Sequence, residues 1–339
     1  MKISIIVPIR EEVEFITMFI DYLLGQNLNN ECEIIVVDGL SSDGTREEIS
    51  NYKSRIKNIH LRFKDNPKQI VSSALNIGIK EARGDIIIRM DVHTEYAEDY
   101  VQKCVEILER TGADNVGGPA RTKAKTYVQR AVAAAYHSPF SVGGARFHDE
   151  DYEGYVDTVT YGCWRKETLE KLGGFDEELV RNQDDELNLR IIRNGGKIYQ
   201  SPEIRSWYYP RSSLRALFKQ YFQYGYWKVR VIQKHKLPAS WRHLVPGAFV
   251  LYIIQLPITY NLLPITSYLL FFYLLLDLFF SFLSASKHNW KLLPILPIIF
   301  FVYHFSYGLG FLIGIVDFLI LRKHKKGKGV STIFQSLSR

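Results

Sequence analysis

Candidate acidic side chains lie in three separate parts of the chain. Asp38 ends one apolar stretch, Asp91 follows another and precedes His93 by two residues, and Asp184 lies in the run NQDDEL. A carboxylate can accept hydrogen bonds from a nucleotide, ligate a divalent ion or take a proton as a general base. The three positions therefore predict a site that binds a phosphorylated ligand and moves a proton.

The run RMDVH places Asp91 and His93 after an apolar, β-branched stretch. In an extended turn this spacing lets both side chains reach one divalent ion, which can bridge two phosphate oxygens. A DxH pair often arises by chance. Its position after a strand makes a metal site and a chance pairing equally good interpretations.

Two further acidic runs have a structural interpretation beside the functional one. Within VVDGLSSDGT, capping of the next helix by Ser42 or Asp43 explains Asp43 better than Asp38, which leaves Asp38 to contact a base or ribose. Within NQDDEL, a helix is predicted to start near Asp184, where negative charge favours the helix dipole. The dipole would keep that carboxylate ionised, as a general base requires, so both interpretations of Asp184 can hold.

Alternating strand and helix patterns predict how these side chains are positioned. Apolar runs typical of buried strands alternate with runs of helical spacing, which predicts an open α/β sheet. Strands are expected at 3–9, 33–38, 59–63 and 85–91, and helices at 12–24 and 69–82. Ligands of such sheets lie beyond the carboxyl ends of the strands, where Asp38 and Asp91 fall. Neither GxGxxG after the first strand nor GxxxxGK[ST] occurs, which argues against a dinucleotide cofactor and a Walker-type loop.

Apolar segments dominate the chain after residue 243. They span 244–260, 262–282 and 292–321, and the last two reach the roughly 20 residues that a bilayer crossing needs. Basic residues flank the block on both sides, so the positive-inside rule places both flanks in the cytosol and requires an even number of crossings. The Pro-interrupted first segment is therefore predicted to lie in the interface or to re-enter.

The segment 213–235 interleaves aromatic rings with basic side chains. This pattern suits the level of lipid headgroups and predicts a helix lying on the membrane, with an ordinary core helix as the alternative. Inside the apolar block, Ser306, Gly310 and Gly314 are spaced by four and indicate a helix contact face. Ionisable residues in the block are expected to be functional or to make interhelical hydrogen bonds. They are Asp277, His304 and Asp317.

The composition excludes several classes of protein. An apolar fraction of 47% and an aromatic fraction of 14% exclude a disordered chain. The net charge of +7 comes mainly from residues 322–339, which hold six basic and no acidic residues, whereas residues 1–243 hold 35 basic and 34 acidic. Because residues 1–243 are nearly neutral, no nucleic-acid partner is expected. Three scattered cysteines predict a reducing compartment, and the N-terminus lacks a signal-peptide pattern, so the catalytic part is expected in the cytosol.

Five ordered motifs give the chain a family resemblance. IVPIREE, VVDGLSSDGT, RMDVH, GGFDE and NQDDEL resemble the family-2 inverting glycosyltransferases of the GT-A fold. Further runs, among them GCWRKE, QYFQYGYWK and HFSYGLGFLIG, are similar to a membrane-bound subgroup that acts in succinoglycan-type exopolysaccharide assembly. The resemblance implies a GT-A domain with a Rossmann-like mixed sheet, followed by an interfacial helix and a C-terminal transmembrane region. It also implies transfer of a hexose from a nucleotide sugar, with UDP-glucose or a similar UDP-sugar expected.

The resemblance also implies roles for individual residues. Asp184 takes the place of the general base, with Asp185 as the runner-up and Gln183 in place of the usual Glu. Asp91 and His93 take the place of the metal-binding acids. The nucleotide sugar is expected to contact Pro8, Arg10, Glu12, Asp38, Lys68 and Asp91, and, on a helix closing over it, Gln220, Tyr224 and Trp227.

His93 departs from the family pattern, which has an Asp there. Imidazole suits manganese better than the all-oxygen shell that magnesium prefers, so a divalent metal is expected with Mn²⁺ favoured over Mg²⁺. In the reaction, charge develops on the leaving diphosphate, and the metal offsets it. The base takes a proton from an acceptor hydroxyl that attacks from the opposite face.

The membrane block predicts an acceptor that is itself lipid-linked, such as a polyprenyl diphosphate saccharide. The expected organisation is a GT-A domain at 1–211, an interface helix at 212–243, a transmembrane region at 244–321 and a basic cytosolic tail at 322–339. This predicts a multi-pass protein of the cytoplasmic membrane with its catalytic domain on the cytosolic side. The alternatives are a processive polysaccharide synthase and a membrane scaffold that keeps the fold without catalysis.

Overall fold

The computed structural model describes residues 2–26, 28, 32–52, 60–238, 240–259 and 265–325. The chain divides into two compact units. The first is formed by residues 1–122 and 146–209, and the second by residues 123–145 and 210–339. The four-part division expected from the sequence stays a prediction, and its basic tail lies mostly outside the described residues.

The described residues form both strands and helices. The strands are β1 (Ile3–Ile9), β2 (Cys32–Asp38), β3 (His60–Asp65), β4 (Ile86–Arg89), β5 (Thr94–Tyr96), β6 (Asn115–Gly118), β7 (Arg121–Thr122), β8 (Gly154–Tyr155), β9 (Thr160–Arg165), β10 (Ile198–Gln200) and β11 (Ser206–Tyr208). The helices are α1 (Val13–Gly25), α2 (Thr45–Tyr52), α3 (Val71–Glu81), α4 (Tyr100–Thr111), α5 (Tyr127–Tyr136), α6 (Pro139–Val142), α7 (Lys166–Leu172), α8 (Gln183–Arg193), α9 (Leu214–His235), α10 (Val245–Thr259), α11 (Ile265–Lys287) and α12 (Leu296–Gly314).

A mixed sheet organises the first unit. Within the described residues its strand order is β3-β2-β1-β4-β9-β6-β10-β8, and a smaller sheet has the order β5-β11-β7. Strands β3, β2, β1 and β4 run parallel, whereas β9 runs antiparallel to both β4 and β6. The prediction of an α/β fold with a mixed sheet is confirmed, and β1 to β4 lie within a few residues of the expected strands.

Apolar residues of the central strands point alternately to two cores, as the period of two along a strand requires. Ile5 belongs to a cluster with Phe19 of α1 and Ile107 of α4. Ile6, the next residue of β1, belongs to a second cluster with Leu75 of α3. Both faces of β1 are covered, and its sequence is accordingly a continuous apolar run rather than an alternation of apolar and polar residues.

The second unit contains the long apolar helices. Within the described residues, two of them are long and apolar enough to cross a membrane, judged by length and composition: Tyr268–Lys287 in α11, and Leu296–Ile320, which joins α12 to a π-helical turn. Helix α10 has 15 residues and contains Pro257. It is shorter than the roughly 20 residues of a full crossing, and the count of two crossings stays a prediction.

Helix α9 confirms the helix predicted at 213–235 and packs closely on α12. A Cβ on Gly310 would lie 1.9 Å from the carbonyl oxygen of Phe222, and a Cβ on Gly314 would lie 2.8 Å from that of Tyr226. The contact face predicted at Ser306, Gly310 and Gly314 is thereby confirmed at the two glycines. The close packing agrees with the alternative of a core helix, and a position on the membrane surface stays a prediction.

Two ionisable groups of the apolar helices form interhelical hydrogen bonds. Asp317 accepts one at 3.0 Å from the hydroxyl of Tyr226 on α9. His304 lies 3.0 Å from the hydroxyl of Tyr273 on α11 through Nδ1, and 2.8 Å from the carbonyl oxygen of Phe140 through Nε2. Asp277 accepts a bond at 3.3 Å from Ser281 within its own helix.

Candidate active site

Four parallel strands end at one edge of the large sheet, where the candidate residues converge. Ile9 of β1 pairs with Asp38 of β2, so Glu12, three residues further on, comes from the same edge. Asp91 follows β4 by two residues. Helix α8 adds the run QDDE in its first turn, after Asn182 in the left-handed conformation that asparagine tolerates.

Arg89, the last residue of β4, is the centre of this group. Its side chain is 6% exposed, and its guanidinium donates from Nε and Nη2 to the two carboxylate oxygens of Asp91, both at 2.7 Å. Its Nη1 donates to Oδ1 of Asp184 at 2.6 Å. The structure therefore brings together Asp91 and Asp184, which the sequence singled out, through an arginine that it did not.

Asp184 is held at one oxygen and open at the other. Its side chain is 37% exposed, and Oδ2 makes no hydrogen bond within the described part of the chain. Arg89 bonds to Asp184 and not to its neighbour Asp185. A carboxylate with one anchored and one available oxygen is suited to accept a proton.

The electrostatics of Asp184 differ from the sequence-based expectation. Burial raises the pKa of its carboxyl, Asp91 and Asp185 act in the same direction, and Arg89 opposes them. The helix dipole alone was expected to favour the ionised form, so desolvation and the neighbouring carboxylates outweigh it. A raised pKa makes Asp184 a stronger base.

Arg89 stays charged in this setting. Burial alone would lower the pKa of its guanidinium, but Asp184 and Asp91 raise it well above its ordinary value. One cation then faces two carboxylates, which leaves one excess negative charge before Asp185 is counted.

The candidate metal ligands are a carboxylate and an imidazole that already have neighbours. Asp91 is 28% exposed, and its oxygens keep lone pairs beyond those that Arg89 uses. Nε2 of His93 lies 2.7 Å from Oε2 of Glu12, and its ring packs edge-on to Phe15 with centroids 4.5 Å apart. Nδ1 of His93 remains as a nitrogen that can bind a metal ion.

These two ligand atoms and the excess negative charge fit a divalent ion, which would offset negative charge on a phosphorylated ligand. Within the described residues, no group of three or more His, Cys, Asp and Glu side chains forms a site by itself. Asp91 and Nδ1 of His93 are the side-chain atoms that would hold such an ion.

Asp38 is buried and organises the turn before α2. Its side chain is 1% exposed and accepts from the backbone N–H of Ser41 at 3.1 Å and from its hydroxyl at 2.6 Å. Nη2 of Arg46 lies 3.1 Å from Asp38 and also bonds to Asp65. A direct contact between Asp38 and a base stays a prediction. Arg46, which sequence reasoning missed, is more exposed than Asp38.

The capping interpretation of Asp43 is confirmed, because its carboxylate accepts from the backbone N–H of Thr45 at 3.0 Å at the start of α2.

The other residues of the first unit that are expected to contact the nucleotide sugar lie on its strand ends and loops. Pro8 is half-buried in β1, and Arg10 donates a long bond of 3.4 Å to the carbonyl oxygen of Gln69. Lys68 is 64% exposed and lies 2.6 Å from a carboxylate oxygen of Glu177.

The three residues of α9 that are predicted to contact the nucleotide sugar belong to the second unit. Gln220 donates to the hydroxyl of Tyr224 at 3.1 Å. Trp227 is 3% exposed and packs near Phe318, with ring centroids 5.8 Å apart. Their proposed role in closing over the donor stays a prediction.

The mixed sheet, with carboxylates gathered at the ends of its parallel strands, defines a GT-A-like domain. A mannosyltransferase from Pyrobaculum calidifontis, solved in complex with GDP-Man and Mn²⁺, has the same fold. The TM-score is 0.63 at 18% identity, and the match covers 92% of this chain and 87% of that one.

Sequence comparisons define the family. Residues 4–173 match the model of glycosyl transferase family 2, and the chain belongs to this family. It is 32% identical over 246 residues to the succinoglycan biosynthesis protein ExoA of Rhizobium meliloti, covering 72% of this chain and 74% of that one. It is 29% identical over 323 residues to a dolichyl N-acetyl-α-D-glucosaminyl phosphate 3-β-D-2,3-diacetamido-2,3-dideoxy-β-D-glucuronosyltransferase of Methanococcus voltae, covering 93% and 97%. The protein is therefore a glycosyltransferase.

Proposed function

We propose that the protein transfers a sugar, with inversion, from a nucleotide donor to a lipid-linked saccharide in the assembly of a cell-surface glycan. The names of its relatives support this: one acts in succinoglycan biosynthesis and another on a dolichyl-phosphate-linked sugar. The candidate membrane-crossing helices are consistent with an acceptor that resides in a bilayer. A hexose from UDP-glucose or a similar UDP-sugar is the expected donor group.

The observation that carries this proposal is the pairing of Asp91 and Asp184 through Arg89. Transfer with inversion needs a base that deprotonates the acceptor hydroxyl, and a carboxylate near the leaving diphosphate contributes by holding a divalent ion. Asp184 is assigned to the first task, with Asp185 as the runner-up, and Asp91 to the second. No carboxylate is needed as a nucleophile.

A divalent ion held by Asp91 and His93 would offset the charge that develops on the departing nucleoside diphosphate. The Mn²⁺ in the structure of the Pyrobaculum enzyme supports a metal of this kind. We infer that Mn²⁺ serves better than Mg²⁺, because His93 offers nitrogen rather than oxygen. Pro8, Arg10, Glu12, Asp38 and Lys68 are proposed to line the donor pocket, and Gln220, Tyr224 and Trp227 to close it.

The proposed location is the cytoplasmic membrane, with more than one crossing and the catalytic unit on the cytosolic side. Exposed apolar side chains along α11 support contact with lipid, among them Phe271, Phe272 and Phe279 at 60%, 58% and 54%. The basic flanks of the apolar block support a cytosolic position for both its ends.

A donor screen followed by a transfer assay tests the proposed function. The purified full chain, with Mn²⁺ present, is titrated with UDP-sugars and with GDP-mannose, and each radiolabelled donor that binds is then incubated with membranes containing polyprenyl-linked saccharides. We expect binding of a nucleotide sugar and radiolabel in the lipid-extractable product. Binding without transfer to any lipid would contradict the proposal, as would transfer to a soluble saccharide alone.

A further inference from the structure

We propose that Arg89 is a positioning residue that ties the general base to the donor-side carboxylate. This inference rests on the proposed function, because it concerns the same two carboxylates. It adds a residue to which neither the motifs nor the comparisons assign a role.

The fork of the guanidinium fixes two carboxylates at once. Nε and Nη2 bond to both oxygens of Asp91, which holds that carboxylate in the plane of the guanidinium. Nη1 of the same plane bonds to Oδ1 of Asp184 at 2.6 Å. A rigid side chain therefore sets the distance and orientation between the group beside the diphosphate and the group that takes the proton.

The bond to Oδ1 also selects which oxygen of the base is used. Oδ1 is occupied by Arg89, whereas Oδ2 makes no hydrogen bond within the residues that the structure describes. Oδ2 of Asp184 is thus the atom left to accept the proton from the acceptor hydroxyl.

Packing around Arg89 shows that its position is built into the fold. The side chain is 6% exposed, and the ring of Tyr161 lies over the guanidinium with its centroid 5.9 Å from Cζ. Tyr161 has φ of +60°, a left-handed conformation that is costly for an aromatic residue, and its hydroxyl is hydrogen-bonded to Thr94. Backbone strain of this kind persists where the surrounding structure enforces it, often at functional sites.

Lysine cannot reproduce this arrangement. Its ammonium keeps the charge but is a single point on a flexible stem, so it cannot make the planar, three-bond contact with two carboxylates. Arg89→Lys therefore separates the positioning role from the charge.

The test compares Arg89→Lys with wild type in the full-length protein, using donor affinity, kcat for transfer and the melting temperature. We expect kcat to fall about 10²-fold, the loss typical of a reacting group misplaced by about 1 Å, with a much smaller change in donor affinity. Arg62→Lys is the matched control, because Arg62 lies on β3 and pairs with Glu33 at 2.6 Å, among residues given no role in the site. It should leave kcat unchanged.

A double substitution distinguishes positioning of the base from a general loss of structure. If Arg89 acts through Asp184, adding Arg89→Lys to Asp184→Asn should lower kcat by less than about threefold further, since groups that act as a unit are not additive. Full additivity of the two losses, or normal kcat in folded Arg89→Lys, would overturn the inference.

A second variant decides the question if Arg89→Lys does not fold. Tyr161→Leu removes the ring over the guanidinium and leaves every charge in place. We expect a lower kcat with donor affinity retained, and an unchanged kcat would overturn the inference. Failure of the proposed function looks different, because wild type itself would then transfer no sugar to lipid.

Discussion

At the scale of single residues, the partly buried carboxylate of Asp184 determines the pH dependence expected of transfer. Burial raises its pKa, and a general base acts only when it is unprotonated. We expect kcat/KM to fall as the pH drops through this raised pKa and to level off above it. The decline should therefore begin at a higher pH than the ordinary aspartate value of about 3.9 allows. A profile from about pH 4 to pH 8 checks this. A flat profile across that range would contradict the assignment.

The metal preference is also a property of single residues. His93→Asp replaces nitrogen by the oxygen that Mg²⁺ prefers, so the variant should use Mg²⁺ better relative to Mn²⁺ than wild type does. Binding of Mn²⁺ in the presence of donor, followed by electron paramagnetic resonance, gives a measurement independent of turnover. Full activity of wild type in excess chelator would contradict a role for any divalent ion.

The sequence identified the acids of the site but not the residues that hold them. Asp91 and Asp184 follow strands or begin a helix, so their positions could be predicted from local patterns. Arg89 lies inside the apolar run DIIIRMD, where an unpaired charge would be costly, and this was the signal that could have found it. The contact between Arg89 and Asp184 joins residues 95 apart in sequence, which no local pattern reveals.

At the scale of elements, long strands and helices were predictable and short ones were not. β1 matches the predicted strand at 3–9, because it is a continuous apolar run that the sheet buries on both faces. β8 has two residues and β10 has three, too few to show a periodicity, although both belong to the large sheet. Their places depend on pairing with distant strands.

The contact between α9 and α12 gives a prediction for a single helix position. A Cβ at Gly310 would lie 1.9 Å from the carbonyl oxygen of Phe222, so Gly310→Ala must push the two helices apart. We expect a loss of about 1–3 kcal/mol in the free energy of unfolding, typical of overpacking. Thermal unfolding in detergent measures the change.

The matched control is Gly25→Ala in α1, where the added Cβ would have an ordinary contact of 4.0 Å with Glu98. It should be neutral or stabilising by up to about 1 kcal/mol, because alanine restricts the unfolded chain. Equal effects of the two substitutions would show that α9 and α12 do not approach as closely as the structure indicates.

At the scale of the whole molecule, the apolar helices predict how the protein is attached to the membrane. In the part of the chain that the structure describes, two helices have the length and composition for crossing a bilayer. The protein should therefore stay in the membrane pellet after washing with high salt and with alkaline carbonate. Release by carbonate would indicate a peripheral protein. A C-terminal tag should be accessible from the cytosolic side, and an external tag would contradict an even number of crossings.

The central claim is that Asp184 is the base of a donor-dependent glycosyl transfer, and Asp184→Asn tests it most directly. Asparagine keeps the shape of the side chain but does not serve as a general base. The measurement pairs kcat for transfer to the lipid-linked acceptor with donor affinity, in Asp184→Asn and Asp185→Asn. We predict that Asp184→Asn lowers kcat by at least the roughly 10²–10⁴-fold of a lost general base while donor affinity is retained, and that Asp185→Asn has a much smaller effect. Normal transfer by Asp184→Asn would contradict the claim, and if Asp185→Asn were then inactive, the base would be Asp185.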